Sequence, residues 1–262
     1  MVLKQFSVRV LALLSVFGFV VAGMVVAVAA MPMADAPSPS SAASAAELAT
    51  AAEAIVESFE TTVASSQSFK NGQEELEHRA YVTAIIANAV PEAEGDAKWK
   101  ANALAVRDAA LALAKIKSQN PAQTKVKEIK GLLGGGTVGD TKPMKYLEIT
   151  SLQHVMKEVN DRNRALTKNV RSNNFKRAQK EVTRDAQMLA LLGAIARADT
   201  KSAQQAKKPQ ADFEKFADAL VTHSKSLAEA AKKGDAGAAT DAYKAVRQAC
   251  ADCHADFRPD IE

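Results

Sequence analysis

From Ala45 onward, apolar side chains recur at steps of three and four residues, and no stretch alternates apolar with polar as a half-buried strand does. This pattern predicts an all-α protein of eight helical segments. The first four cover residues 45–69, 74–90, 96–118 and 122–133, parted by turn signals at Asn71-Gly72, Pro91 and Asn120-Pro121 and ended by Gly134-Gly135-Gly136. Four more cover 146–169, 173–199, 210–233 and 236–257, with Pro209, Gly234-Asp235 and Pro259 as punctuation.

Two sets of four helices point to an internal duplication. The second helix of each set compares best: Ala80 and Ala84 fall at the positions of Ala186 and Ala190, within Ala-Tyr-Val-Thr-Ala-Ile-Ile-Ala and Ala-Gln-Met-Leu-Ala-Leu-Leu-Gly. The expected architecture is two tandem antiparallel four-helix bundles. Ala/Leu-rich helices resemble one another by chance, so one irregular helical domain is the competing reading. The expected division is 45–136 for a first helical domain, 137–145 for a linker and 146–262 for a second domain.

Ahead of the helices, Lys4 and Arg9 precede an apolar run over residues 10–31, with small residues at Ala27-Val28-Ala29 and Ala34-Asp35-Ala36. Residues 1–36 read as an export signal, or, given a run of about 20 apolar residues, as an uncleaved membrane anchor. With the two cations held in the cytoplasm, either version places the helices in the periplasm or on the outer face of the inner membrane. Residues 37–44, rich in Pro, Ser and Ala, read as a linker too broken to pack.

Composition agrees with the helical reading and removes some functions. Apolar residues make up 47% of the chain and aromatics only 5%, an Ala/Leu-rich helical alphabet. The 34 basic and 30 acidic residues are interspersed, so no basic patch calls for a nucleic acid. Only two cysteines occur, three positions apart, and no disulfide framework can be built from them.

Those cysteines belong to Cys250-Ala251-Asp252-Cys253-His254, the C-x-x-C-H pattern of covalent haem attachment. Two thiols add to the porphyrin vinyl groups, and the adjacent imidazole becomes an axial iron ligand. Tyr243, Val246, Cys250, Cys253 and Phe257 share one face of the last helix, with His254 one turn beyond Cys250 on that side. One haem c is therefore expected, held by Cys250 and Cys253 with His254 as proximal ligand. Three other readings compete. A C-x-x-C redox pair belongs at a helix N-terminus after a strand, whereas this one sits near a helix end. A zinc site needs a further ligand from His78, His154 or His223, none of them paired at ligand spacing. The third reading is a pair of structural cysteines.

The motif's place at the end of a fourth helix, and its continuation as Cys-Ala-Asp-Cys-His-Ala-Asp-Phe-Arg to Arg258, resemble cytochrome c′ and its Met-ligated low-spin relatives over residues 146–258. The resemblance implies a four-helix bundle with its haem at the C-terminal end, and it brings Phe257 and Arg258 into the haem surroundings. It also implies that the segment Leu152-Gln153-His154-Val155-Met156-Lys157 supplies the far side of the iron, with Met156 as a distal ligand or an ordinary core methionine. Periodicity agrees on the face: Leu152, Met156, Val159 and Leu166 lie together, while His154 is about 200° away and points outward. The first set departs from the family, since its fourth helix reads Lys-Val-Lys-Glu-Ile-Lys with no cysteine. It is expected to hold no haem, and its His78 to be a surface or satisfied histidine.

Two functions follow from the resemblance. With Met156 on the iron, the protein is an electron carrier with an unidentified redox partner protein. With the iron five-coordinate, it binds a small diatomic such as NO or CO. A haem enzyme would need a distal acid–base pair, and none can be placed on the inward face of residues 147–166, so an enzyme is not expected. Lys244 and Arg247 read as a solvated face or as part of a docking surface.

Overall fold

The structure is a computed structural model describing residues 37–135 and 142–258. The expected signal or anchor over 1–36 lies outside the described residues. Among the described residues there are ten α-helices and no strand, and no helix is long and apolar enough to cross a membrane.

The first set comprises α1 (Ala45–Val63), α2 (Ser66–Ala89), α3 (Ala103–Ala114) and α4 (Gln119–Leu133). α1 opens on a capping box: the Ser44 side chain accepts from the Glu47 N–H at 3.3 Å, and the Ser44 N–H donates to Glu47 Oε2 at 2.9 Å. The break before α2 falls at Ala64-Ser65, where the Ser65 hydroxyl caps the Ser68 N–H. Asn71-Gly72, expected as the turn, instead lies inside α2. Gly72 is there for proximity, because a Cβ at that position would stand 2.8 Å from Thr62 Cγ2 of α1. Asn120-Pro121 is likewise no turn but the first turn of α4, where a missing N–H costs no helical bond. The third segment begins later than expected, its helix proper starting at Ala103 after a short 3-10 turn. α4 closes the set by packing on α1 as well as α3, burying Ala122, Val126 and Ile129.

The second set comprises α6 (Leu152–Asn169), α7 (Ser172–Ala196), α9 (Gln210–Lys232) and α10 (Ala236–Phe257), with the short α5 (Tyr146–Ile149) and α8 (Lys201–Ala206) between them. The segment expected as one helix over 146–169 is interrupted at Thr150-Ser151, where Ser151 caps the His154 N–H. α8 was not expected. Asp199 Oδ2 accepts from the Ser202 N–H at 2.9 Å and starts it. α6 packs on α7, α7 on α9 and α9 on α10. α7 and α9 lie close enough that a Cβ on Gly193 would meet Val221 Cγ2 at 3.1 Å. α10 does not close on α6 as α4 closes on α1.

The described residues form one compact unit, and a single apolar core runs from Ala42 through both sets to Val246. Ala80, Ala84, Ala186 and Ala190, the residues compared for a duplication, are all fully buried in it. The stretch 37–44, expected to be too broken to pack, is docked: Pro39–Ser41 form a 3-10 turn against α7, and Ala42 is buried. Lys142 O accepts from Arg107 at 2.6 Å, and Asn88 pins Met144 through its N–H and C=O.

Candidate functional site

An apolar cleft opens on the unclosed side of the second set, between α6 and α10. α6 lines it with Leu152, Met156, Val159, Asn160 and Asn163, α9 with Phe213, Phe216 and Leu220, and α10 with Cys250, Cys253, His254, Phe257 and Arg258. The space between the walls is about 870 Å³, including open solvent at the mouth. Leu152, Met156, Phe216, Cys250 and Cys253 are only half-buried, so the cleft presents uncovered apolar surface of the kind a flat macrocycle would cover.

The helix places both thiols of the C-x-x-C-H motif on the cleft side, with Tyr243 and Val246 buried below them. Burial pushes the Cys250 thiol above its ordinary pKa. Burial, then Cys250 and Asp256, push Cys253 up to about 11. Neither is the acidic thiol of a redox pair. His254 sits at the rim. Loss of solvent around its ring, then the nearby Arg258, hold it below its ordinary pKa, which favours the neutral imidazole that ligates metals. The donor set fits haem: two thiols and a neutral imidazole on one helix face an apolar wall. His78, His154 and His223 do not line this cleft, so the structure does not assemble the zinc alternative there.

Phe257 anchors the end of α10. It is buried and meets Phe213 edge-on at 5.2 Å and Phe216 at 6.1 Å between ring centres. Lys208, following α8, lies over its ring at 5.7 Å and pairs with Asp256 at 2.5 Å. Arg258 is exposed at the cleft edge. The α9 phenylalanines and Ser202 of α8 were missed in the sequence. Phe213 and Phe216, two of nine Phe in an aromatic-poor chain, sit at helical spacing and were the signal available.

The opposite side of α6 carries a buried ionic network. His78 Nε2 and Glu158 Oε2 are 2.9 Å apart, and Arg162 bonds the other Glu158 oxygen while reaching Asp185 Oδ1 at 2.9 Å. Burial alone would raise the Glu158 pKa, but His78 and Arg162 hold it below the usual range. Burial keeps Asp185 above its usual value despite Arg162. His78 is therefore no surface histidine. It is 3% exposed, and among the described residues its Nδ1 has no partner. His154 points away from the cleft as expected, but it packs on Tyr81 and stacks on His78 of the first set instead of facing solvent alone. His78, Glu158 and Asp161 are grouped as metal ligands can be, yet both carboxylates are already matched, by Arg162 and by Lys157 at 3.2 Å.

No curated protein and no solved structure matches the chain. A family model described as cytochrome C′ matches residues 148–258, which contain α6 to α10 and every wall of the cleft. The first set of helices lies outside that match. Over residues 148–258, then, the chain is similar to the cytochrome c′ family, a likeness that suggests a haem-binding c-type cytochrome.

Proposed function

We propose that the protein is an exported electron carrier holding one covalent haem in the cleft between α6 and α10. The observation that carries this reading is the placement of Met156 on the α6 wall, across the cleft from Cys250, Cys253 and His254. Haem, when bound, supplies a one-electron iron couple. The chain's part is to fix both sides of it. Cys250 and Cys253 anchor the macrocycle to α10, and His254 offers a neutral nitrogen. Leu152, Val159, Phe213, Phe216 and Leu220 exclude water. The Met156 thioether would offer the iron a soft donor, which raises the potential. Lys4, Arg9 and the apolar run after them support export, and an unidentified redox protein is the partner.

The same walls support a second reading, in which Met156 is only a lining residue and a diatomic such as NO or CO takes its place on the iron. The apolar character of the lining favours such ligands over polar ones. Replacing Met156 with Ala and recording the ferric spectrum decides between them. Conversion from low-spin to high-spin supports the electron carrier. A high-spin spectrum already present in the unaltered protein supports the diatomic reading.

A further inference from the structure

α6 and α10 face each other across the cleft but are held by different neighbours, α6 by α7 and α10 by α9. Among the described residues, the hydrogen bonds that join them directly all pass through one side chain, Tyr243. Its hydroxyl lies 2.7 Å from Asn163 Oδ1, 3.0 Å from Asn163 O and 2.6 Å from Thr167 Oγ1. A phenol has one proton to give and can accept in return. Tyr243 donates to Asn163 Oδ1, and Thr167, whose hydroxyl also lies 2.9 Å from Asn163 O, gives its one proton to that carbonyl or to Tyr243. The ring is buried, so each lost bond leaves a polar atom with poor access to water.

The opposite end of the cleft has an apolar clasp, where Leu152 of α6 and Cys253 of α10 both pack against the cluster of Phe213 and Phe257. These two clasps fix the register of the two helices. Tyr243 precedes Cys250 by seven residues and Asn163 follows Met156 by seven, about 10 Å of helix in each case. Met156 and the cysteine motif are thereby held at one level.

We propose that Tyr243 is a positioning residue that sets the width of the cleft and so the approach of the Met156 wall to the haem attached on α10. This deepens the haem reading and rests on it. Tyr243 does not itself line the cleft. It acts through Asn163, which lines the cleft, and through the α6 backbone.

The test uses the haem-loaded protein with Tyr243→Phe, Asn163→Ala and the double variant. Covalent haem content of the unaltered protein is measured first, and its absence sinks the haem reading itself. With haem present, Tyr243→Phe is expected to retain full haem and helix content. Carbon monoxide association with the ferrous protein should rise about fivefold, the scale set by one buried hydrogen bond. Amide exchange along residues 152–169 should also quicken. Asn163→Ala removes only the Oδ1 contact and leaves the Asn163 carbonyl and Thr167 to the phenol, so it should produce both changes in smaller degree, and the double variant should add little to Tyr243→Phe, which already lacks every one of these bonds. Should Tyr243→Phe lose haem, Asn163→Ala alone carries the test, because it keeps the phenol in place. Unchanged carbon monoxide association and exchange in a haem-loaded variant overturn the inference, even if thermal stability falls.

Discussion

The two sets of helices differ at one seam. In the first, α4 lies against α1 and seals the set with Ala122, Val126 and Ile129. In the second, the corresponding seam between α6 and α10 stays open and is lined by apolar side chains that remain half-exposed. The closed seam shows what Ala/Leu-rich helices do when nothing has to fit between them. The open one leaves apolar surface uncovered between α6 and α10, the surface that the proposed haem would cover. α6 stands at the centre of this contrast. It turns Leu152, Met156 and Val159 to the cleft, and Glu158 and Arg162 to the network beneath the first set.

The largest expected effect is at the open seam. With both Cys250 and Cys253 replaced by Ser, covalent haem should be lost entirely while the first set keeps its helices, checked by haem stain on a denaturing gel and by circular dichroism. Next comes the ionic face of α6. Arg162→Ala leaves Glu158 and Asp185, each 5% exposed at the side chain, without their shared cation. Breaking such a pair costs about 3–5 kcal/mol, and the fifth of Arg162 that reaches solvent places the expected loss at the lower end. Urea unfolding measures it. At the closed seam, Ile129→Ala should cost about 2–4 kcal/mol by cavity formation and leave the haem spectrum unmoved. A spectral change there would break the separation between seams.

The smallest expected effect lies where the sets meet. Burial would raise the Glu47 carboxyl, but the Ser44 N–H, Lys232, Gln187 and the Ser44 hydroxyl outweigh it and bring the pKa from 4.5 to about 2. Because the folded value lies below the ordinary one, this carboxylate contributes stability in full above about pH 4.5 and loses it as pH falls towards 2. Glu47→Gln should therefore cost about 0.5–1 kcal/mol at pH 7, as expected for a half-exposed cap and ion pair. It should also flatten the acid limb of the stability profile, measured by thermal unfolding between pH 2 and 7.

What was legible in the sequence was local. The attachment motif, its helix face and the inward side of Met156 each depend on spacing within a few turns, which helical geometry fixes in advance. The break at Ser65 was misread because Asn71-Gly72 carries a strong turn signal, whereas the need for Gly72 comes from Thr62 on the neighbouring helix. α8 escaped because six residues are too few to show a period. The network of His78, Glu158, Arg162 and Asp185 was invisible for a different reason. Its members are spread over more than 100 positions, and charged residues on a helix read as a solvated face until another helix covers them.

The claim that haem fills the open seam is tested most directly by the mass of the protein matured in cells able to attach haem. A gain of one haem per chain is expected, located by fragmentation on the peptide holding Cys250, Cys253 and His254. An unmodified chain, or haem carried elsewhere in the sequence, would contradict it.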